Sequence, residues 1–314
     1  MRVGLVLSGG GANGAFEAGV VAAIEESGLR PTVLSGTSAG ALNVAAMGHG
    51  LDAEALADIW RTTGPGDVYR LRRDLWRWAR PSGWLGGRGV AGRVLEGIGW
   101  TWLLDTDPLR DTLVAALGGE RVEVADDLTV SVSAVDKPTG RLVRFTNRLP
   151  PAHRRTPAYE QVDLRVDHLL ASAAIPLAFR PAELAGSQWW DGGLVANTPL
   201  APSMAHEPDA VIVVTTATRE RPAPRPESLG DAIGLLIDNL LAHSLAADLK
   251  HARLINELCH LDPDRTDRKE VDLLVIEPTG EQLGGSLDFS RELAEHRLAR
   301  GRAIGARELA AWGA

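Results

Sequence analysis

The chain has 314 residues, 45% of them apolar and 24% charged, which suits a large folded unit and excludes a disordered or collagen-like protein. Its net charge of −8 argues against nonspecific nucleic-acid binding, which depends on a positive field, so no nucleic-acid partner is expected. The single cysteine, Cys259, cannot form an internal disulfide or a zinc cluster.

The apolar run at residues 3–7 is too short for the core of a signal peptide, and it leads directly into a glycine loop. No apolar run approaches the roughly 20 residues that a membrane-spanning helix needs. We therefore expect a cytoplasmic protein whose contact with a membrane is at most peripheral.

The first sixty residues alternate between strand and helix patterns. Residues 3–7 form a short apolar run typical of a buried parallel strand, and residues 14–27 carry apolar side chains at helical spacing. A second strand is predicted at residues 32–35 and a small-residue helix at residues 39–47, after which Asp52 can cap a third helix. This order predicts a parallel sheet with helices on its faces.

The remaining chain predicts one continuing domain over residues 1–314. Residues 219–228 carry three prolines among charged residues and are predicted to form a surface linker that leads to C-terminal helices. The other predicted elements are a hairpin at 128–135 and 141–145, a helix at 166–175 ended by Pro176, strands at 209–216 and 271–276, and helices at 231–258 and after Ser290.

The sequence Gly36-Thr37-Ser38-Ala39-Gly40 lies between the second predicted strand and its helix. Glycines two residues on either side allow a sharp strand-to-helix turn that exposes the Ser38 hydroxyl at a helix N-terminus. A serine hydroxyl is a poor nucleophile, so catalysis also needs a base and fixed donors for the developing oxyanion. Ser38 is therefore predicted to be the nucleophile of an acyl hydrolase.

A glycine-rich loop, residues 9–14, directly follows the first strand, and its backbone N–H groups could serve as oxyanion donors. The competing interpretation is a nucleotide-binding loop. A Rossmann unit would require an acidic residue about 20 positions further on, at the end of the second strand, but that strand ends in Gly36-Thr37-Ser38. A Walker loop would require a lysine, and the first lysine is Lys137. If the first two strands are adjacent, a right-handed crossover makes this loop a neighbour of Ser38.

These patterns offer two kinds of side chain as the base. Most histidines lie in helical or linker-like segments, and Asp191, followed by two glycines after a short extended segment, has the better setting. A conventional Ser-His-Asp esterase stays an alternative. The histidines that could serve it are His49, His153, His168, His206, His243, His251, His260 and His296.

Four blocks together resemble the patatin-like phospholipase family in its bacterial form, across about residues 3–200. They are the glycine-rich loop 9–14, the turn 36–40, the stretch Ala171-Ser172-Ala173-Ala174-Ile175-Pro176, and Asp191-Gly192-Gly193 with the following Leu194-Val195-Ala196-Asn197-Thr198-Pro199.

The resemblance implies a three-layer α/β/α fold with a mostly parallel central sheet and hydrolysis of lipid acyl esters through an acyl-Ser38 intermediate. It assigns Ser38 and Asp191 to a catalytic dyad, without a metal or other cofactor. The amides of Gly9, Gly10 and Gly11 would form the oxyanion hole. The family usually has Arg or Lys at the fifth position of the glycine block, where this chain has Asn13, so affinity for an anionic head group is in doubt and a neutral ester is an alternative substrate.

An insertion at about residues 67–104 is less like the family and is rich in tryptophan and arginine. It is expected either to be an interfacial flap that contacts a membrane or to be a lid packed on the core. An alternative to the hydrolase prediction is that the protein is a relative of the family that binds lipid without turnover. The residues concerned in the insertion are Arg70, Arg72, Arg73, Arg77, Arg80, Trp76, Trp78, Trp84, Trp100 and Trp102.

Overall fold

The computed structural model describes residues 1–72, 102–217, 244–261, 269–280 and 283–313, apart from the side chains of residues 244–248 and 251. The described strands are β1 Val3–Leu7, β2 Val33–Thr37, β3 Arg70–Leu71, β4 Trp102–Asp105, β5 Thr129–Asp136, β6 Arg141–Thr146, β7 Tyr159–Gln161, β8 Leu177–Phe179, β9 Ala182–Leu184, β10 Ser187–Asp191, β11 Ala210–Val214 and β12 Asp272–Ile276.

The described α-helices are α1 Gly14–Glu26, α2 Ala39–Gly48, α3 Ala53–Thr62, α4 Pro65–Val68, α5 Asp107–Leu117, α6 Val166–Ser172, α7 Gly193–Ala196, α8 Leu200–Ala205, α9 Ser244–Leu261 and α10 Arg291–Trp312. As predicted, the Asp52 side chain caps α3 by accepting a hydrogen bond of 2.8 Å from the Ala55 amide. No helix within the described residues combines the length and apolar character needed to cross a bilayer.

The central sheet is mostly parallel. Its strands run in the order β12-β11-β1-β2-β5-β10-β9, in which the first five are mutually parallel and β10 and β9 are antiparallel to their neighbours. The predicted hairpin is present, because β6 pairs antiparallel with β5. The predicted adjacency of β1 and β2 is confirmed, with Leu7 opposite Gly36.

Helices cover both faces of this sheet, which gives the expected three layers. Because successive strand side chains point to opposite faces, Leu5 and Leu7 of β1 enter the larger apolar core beneath α1, α2, α3 and α10. Val6 points the other way and joins a smaller apolar cluster beneath α8 and α9. Both faces of β1 are buried, which explains its continuous apolar run.

Two predictions on the second half of the chain have different outcomes. The helix predicted at 166–175 ends three residues earlier, at Ser172. The residue before a proline avoids the helical region, which by itself excludes Ile175. The predicted linker at 219–228 and the part of the predicted helix before residue 244 lie outside the described residues.

The predicted insertion is described only at its two ends. Strands β3 and β4 pair antiparallel, and β4 also pairs with β8 in a small second sheet. The Arg72 guanidinium stacks over the Trp102 ring at 3.9 Å, and Arg70 forms ion pairs with Asp105 and Asp107. The other tryptophans and arginines named for the flap, in residues 73–101, lie outside the described residues.

Candidate active site

Ser38 lies in the tight turn that joins β2 to α2. Its backbone has φ 54° and ψ −126°, a conformation that L-residues rarely adopt and that the surrounding structure must enforce. The two glycines of the pattern are sterically required, because a Cβ on Gly36 would lie 2.3 Å from the Gly40 carbonyl oxygen and one on Gly40 would lie 2.3 Å from the Leu7 carbonyl oxygen. The turn therefore depends on both glycines.

Asp191 reaches Ser38 because two strands share one edge of β5. Strand β2 pairs with β5 up to Thr37 opposite Ser133, and β10 begins its pairing on the next residue, with Asp191 opposite Ala134. Strand β6 pairs with the residues of β5 that also pair with β2 and with β10, so β6 must lie along the opposite edge of β5. Strands β2 and β10 consequently meet end to end, and the residue after Thr37 lies beside Asp191.

The Asp191 carboxyl is buried and has an unusual electrostatic environment. Burial raises its pKa from the ordinary 3.8 to about 7, although contacts from the Ser38 side chain and the Gly193 amide oppose this rise. Oδ1 accepts a hydrogen bond of 2.7 Å from the Gly193 N–H, whereas Oδ2 accepts none of standard geometry. The contact with Ser38 is therefore looser than a standard hydrogen bond.

The glycine-rich loop lies directly beside the Ser38 turn. A Cβ on Gly9 would lie 3.1 Å from the Ser38 Cβ and 2.3 Å from Oδ1 of Asn197, so only glycine fits there. The Gly9 N–H donates to the Asn197 carbonyl oxygen at 2.9 Å. The N–H groups of Gly10 and Gly11 have no hydrogen-bond acceptor among the described residues and are the available donors of the predicted trio.

A buried serine from the third block fixes the turn. Ser172 Oγ accepts a hydrogen bond from the Ser38 N–H at 3.0 Å and donates to the Ser133 carbonyl oxygen at 2.7 Å. Ser172 is fully buried, so water cannot replace either bond. The serine in Ala171-Ser172-Ala173 is the only polar side chain in a run of small residues, a signal that indicates such a structural role.

A buried carboxyl lies beneath the glycine loop. The Glu17 side chain accepts hydrogen bonds from Ser8 Oγ at 3.2 Å and Asn43 Nδ2 at 3.1 Å, and burial raises its pKa well above 4.5. Asn43 in turn accepts from the Trp60 indole N–H at 2.8 Å, and Ser8 Oγ accepts from the Thr216 amide at 3.0 Å. This network ties the first loop to α2 and to the end of β11.

A C-terminal segment supports the same loop from outside. The Ala12 N–H donates to the Ser286 carbonyl oxygen at 2.7 Å. The loop that contains Ser286 is held by the buried Arg297, whose guanidinium donates to the carbonyl oxygens of Leu283, Gly285 and Asp288 at 2.7–3.0 Å. Residues far along the chain thus fix the position of the glycine loop.

Three of the histidines whose side chains are described contact groups other than Ser38. His168 accepts from the Arg165 amide at 3.0 Å, His153 contacts Glu207 at 3.1 Å, and His49 accepts from the Glu123 amide at 3.0 Å. Among the histidines whose side chains are described, none is hydrogen-bonded to Ser38. Within the same part of the chain, no group of three or more His, Cys, Asp or Glu side chains could hold a metal ion.

The structure therefore brings together Ser38, Asp191 and the loop of Gly9, Gly10 and Gly11 at the carboxyl ends of β1 and β2. Asn13, which replaces the usual cation, is buried, and its Oδ1 accepts no hydrogen bond. The sequence patterns did not reveal the contributions of Glu17 and Arg297. A strained serine at a strand-to-helix turn of a mostly parallel sheet is the arrangement of serine acyl hydrolases.

Comparison with known families gives a narrower assignment. The model of the family described as patatin-like phospholipase matches residues 5–204, nearly two thirds of the chain. The chain belongs to this family, as the sequence blocks indicated, and membership places it among the lipid ester hydrolases. No curated protein matches the chain.

Two solved structures are similar over nearly the whole chain. VipD from Legionella pneumophila shares 15% sequence identity with a TM-score of 0.46, and the match covers 99% of this chain and 67% of VipD. The type III effector protein ExoU shares 17% identity with a TM-score of 0.43, and the match covers 99% of this chain and 53% of ExoU. This chain thus spans about two thirds of one protein and about half of the other.

Proposed function

We propose that this protein hydrolyses lipid acyl esters with Ser38 as nucleophile and Asp191 as its only side-chain base. The observation that carries the proposal is the end-to-end meeting of β2 and β10 along β5, which sets a buried carboxyl beside the strained serine. A carboxyl with a pKa of about 7 can both accept and return a proton near neutral pH. No histidine is then required.

The reaction proceeds in two halves. Asp191 accepts the proton of Ser38 Oγ as the oxygen attacks the ester carbonyl, and the N–H groups of Gly10 and Gly11 stabilise the resulting oxyanion. Asp191 then returns the proton to the departing alcohol, which leaves an acyl-serine. In the second half Asp191 accepts a proton from water, whose oxygen attacks the acyl carbonyl, and Ser38 regains its proton as the fatty acid is released.

The preferred substrate is a neutral acyl ester. Asn13 is buried and supplies no positive charge beside the glycine loop, so this position lacks the cation that would favour an anionic head group. We further propose that the chain forms a single domain, acts in the cytoplasm and contacts membrane peripherally through the insertion at 67–104.

Labelling with a fluorophosphonate probe and hydrolysis of a nitrophenyl ester test the proposed dyad. Ser38→Ala should abolish labelling and reduce kcat/KM by on the order of 10³ or more, because the acyl-enzyme cannot form. Ser290→Ala is the matched control, since the Ser290 side chain does not cap α10. Full activity of the Ser38→Ala variant would refute the assignment of the nucleophile.

The two alternatives give different results in the same assays. A lipid-binding relative without turnover would leave the wild-type protein unlabelled. A Ser-His-Asp esterase would lose activity to a similar extent on substitution of one histidine. Mass spectrometry of fatty acids and lyso products released from a mixed lipid extract would then identify the ester that is cleaved.

A further inference from the structure

A cavity of about 300 Å³ lies on the sheet face that α8 and α9 cover. This volume is at the lower end of the range for small-molecule sites. Its apolar wall comes mainly from Leu200, Met204, Ile255 and Val271. Neither Ser38 nor Asp191 lines it, so it is separate from the site described above.

The charged residues around this cavity are not balanced. Glu207 is paired with Arg154 at 2.8 Å, and Lys269 is paired with Asp209. Arg144 and Arg155 also line the cavity, and neither contacts a carboxylate among the described residues. Counted over the described residues, the cavity therefore carries two uncompensated positive charges, held by two guanidinium groups.

Arg144 has a further unmet requirement. Its guanidinium stacks against the Tyr159 ring at 5.2 Å, which fixes the side chain on the cavity wall. The Arg144 Nε is buried and has no hydrogen-bond acceptor among the described residues. Among the described residues, the Arg144 guanidinium therefore keeps hydrogen-bonding capacity that a bound anion can use.

We propose that this cavity binds a soluble organic phosphate monoester with a short apolar body. A phosphate monoester carries a charge of about −1.5 to −2 at neutral pH, which matches the two uncompensated arginines. Guanidinium groups bind phosphate through paired N–H donors, and the leucine, methionine, isoleucine and valine wall accommodates the apolar part. A carboxylate would neutralise only half of the charge.

Isothermal titration of the full chain at low salt tests the site. Hexyl phosphate is the probe. Of the three comparison compounds, inorganic phosphate lacks the apolar chain, hexanoate carries only a single negative charge, and hexanol carries no charge. We expect hexyl phosphate to bind one site most tightly, inorganic phosphate and hexanoate to bind more weakly, and hexanol not to bind. Ser38→Ala should leave the affinity unchanged, which separates this cavity from the catalytic serine.

Arg144→Gln and Arg155→Gln should each lower the affinity by about tenfold, the effect of one lost charge-assisted hydrogen bond. Arg180→Gln is the control, because Arg180 is a half-exposed arginine that does not line the cavity. Arg155 is exposed, so its replacement preserves the test should the Arg144 variant unfold. Unchanged affinity in both variants, equal binding of hexanol, tighter binding of hexanoate, or no binding of hexyl phosphate would each overturn the proposal.

Discussion

Replacing Asp191 with Asn should separate stability from activity. Burial raises the Asp191 pKa from 3.8 to about 7, which corresponds to about 4 kcal/mol of folding free energy lost when the group is fully ionised. Asparagine cannot ionise, and its side-chain oxygen can still accept the hydrogen bond from the Gly193 N–H. We therefore expect Asp191→Asn to be more stable than the wild type by up to about 4 kcal/mol at pH 8, while its hydrolysis is abolished.

The sign of the effect follows from proton linkage. A carboxyl whose pKa is higher in the folded protein contributes stability that is fully present below pH 3.8 and is lost as the pH rises to about 7. The difference in stability between variant and wild type should thus be small near pH 4 and largest above pH 7. The wild-type kcat/KM should rise over the upper part of this window, since the base must be ionised.

Urea unfolding at pH 4, 6 and 8 measures the stability difference, and a nitrophenyl ester gives the pH–rate profile over the same range. Asp163→Asn is the matched control, because the Asp163 side chain is 82% exposed and its replacement should change neither quantity. A stability difference that is independent of pH would refute the assignment of a raised pKa to Asp191. A flat rate profile would refute its role as the base.

Three further predictions concern the supports of the site. Ser172→Ala leaves the buried Ser38 N–H and Ser133 carbonyl unpaired and should destabilise the fold by about 2–4 kcal/mol in urea unfolding; a loss below 0.5 kcal/mol would contradict the bridge. Glu17→Gln should raise stability at pH 8 and leave it unchanged below pH 4.5, because burial raises the Glu17 pKa; an equal effect at both pH values would argue against this. Gly36→Ala places a methyl group 2.3 Å from a carbonyl oxygen and should prevent soluble expression or abolish probe labelling, whereas Gly66→Ala, with open space around it, should do neither.

Local patterns were sufficient to predict the Ser38 turn and its relation to the glycine loop. The sequence around Ser38 combines an apolar strand, two required glycines and a small-residue helix, and the alternation of strands and helices makes β1 and β2 parallel neighbours. These features depend on residues close together in the chain. They therefore appear in the sequence as spacing.

The contacts that complete the site could not be predicted in this way. Asp191 meets Ser38 only because β10 occupies the part of the β5 edge that β2 leaves free, which brings together the ends of two strands about 150 residues apart along the chain. The bond between Ser172 and the Ser38 amide joins residues 134 positions apart. The two glycines after Asp191 made it the better candidate for the base, but only the resemblance to a known family assigned it to a dyad with Ser38.

The support of the glycine loop by Arg297 has a consequence for synthesis of the protein. The family match ends at residue 204, yet the Ser286 carbonyl that receives the Ala12 N–H is positioned by a residue almost 100 positions further on. A growing chain on the ribosome lacks this support until the start of α10 has been made. The proposed oxyanion donors, Gly10 and Gly11, would then take their final positions only after Arg297 has been added, so synthesis of the first 204 residues alone would not complete the site.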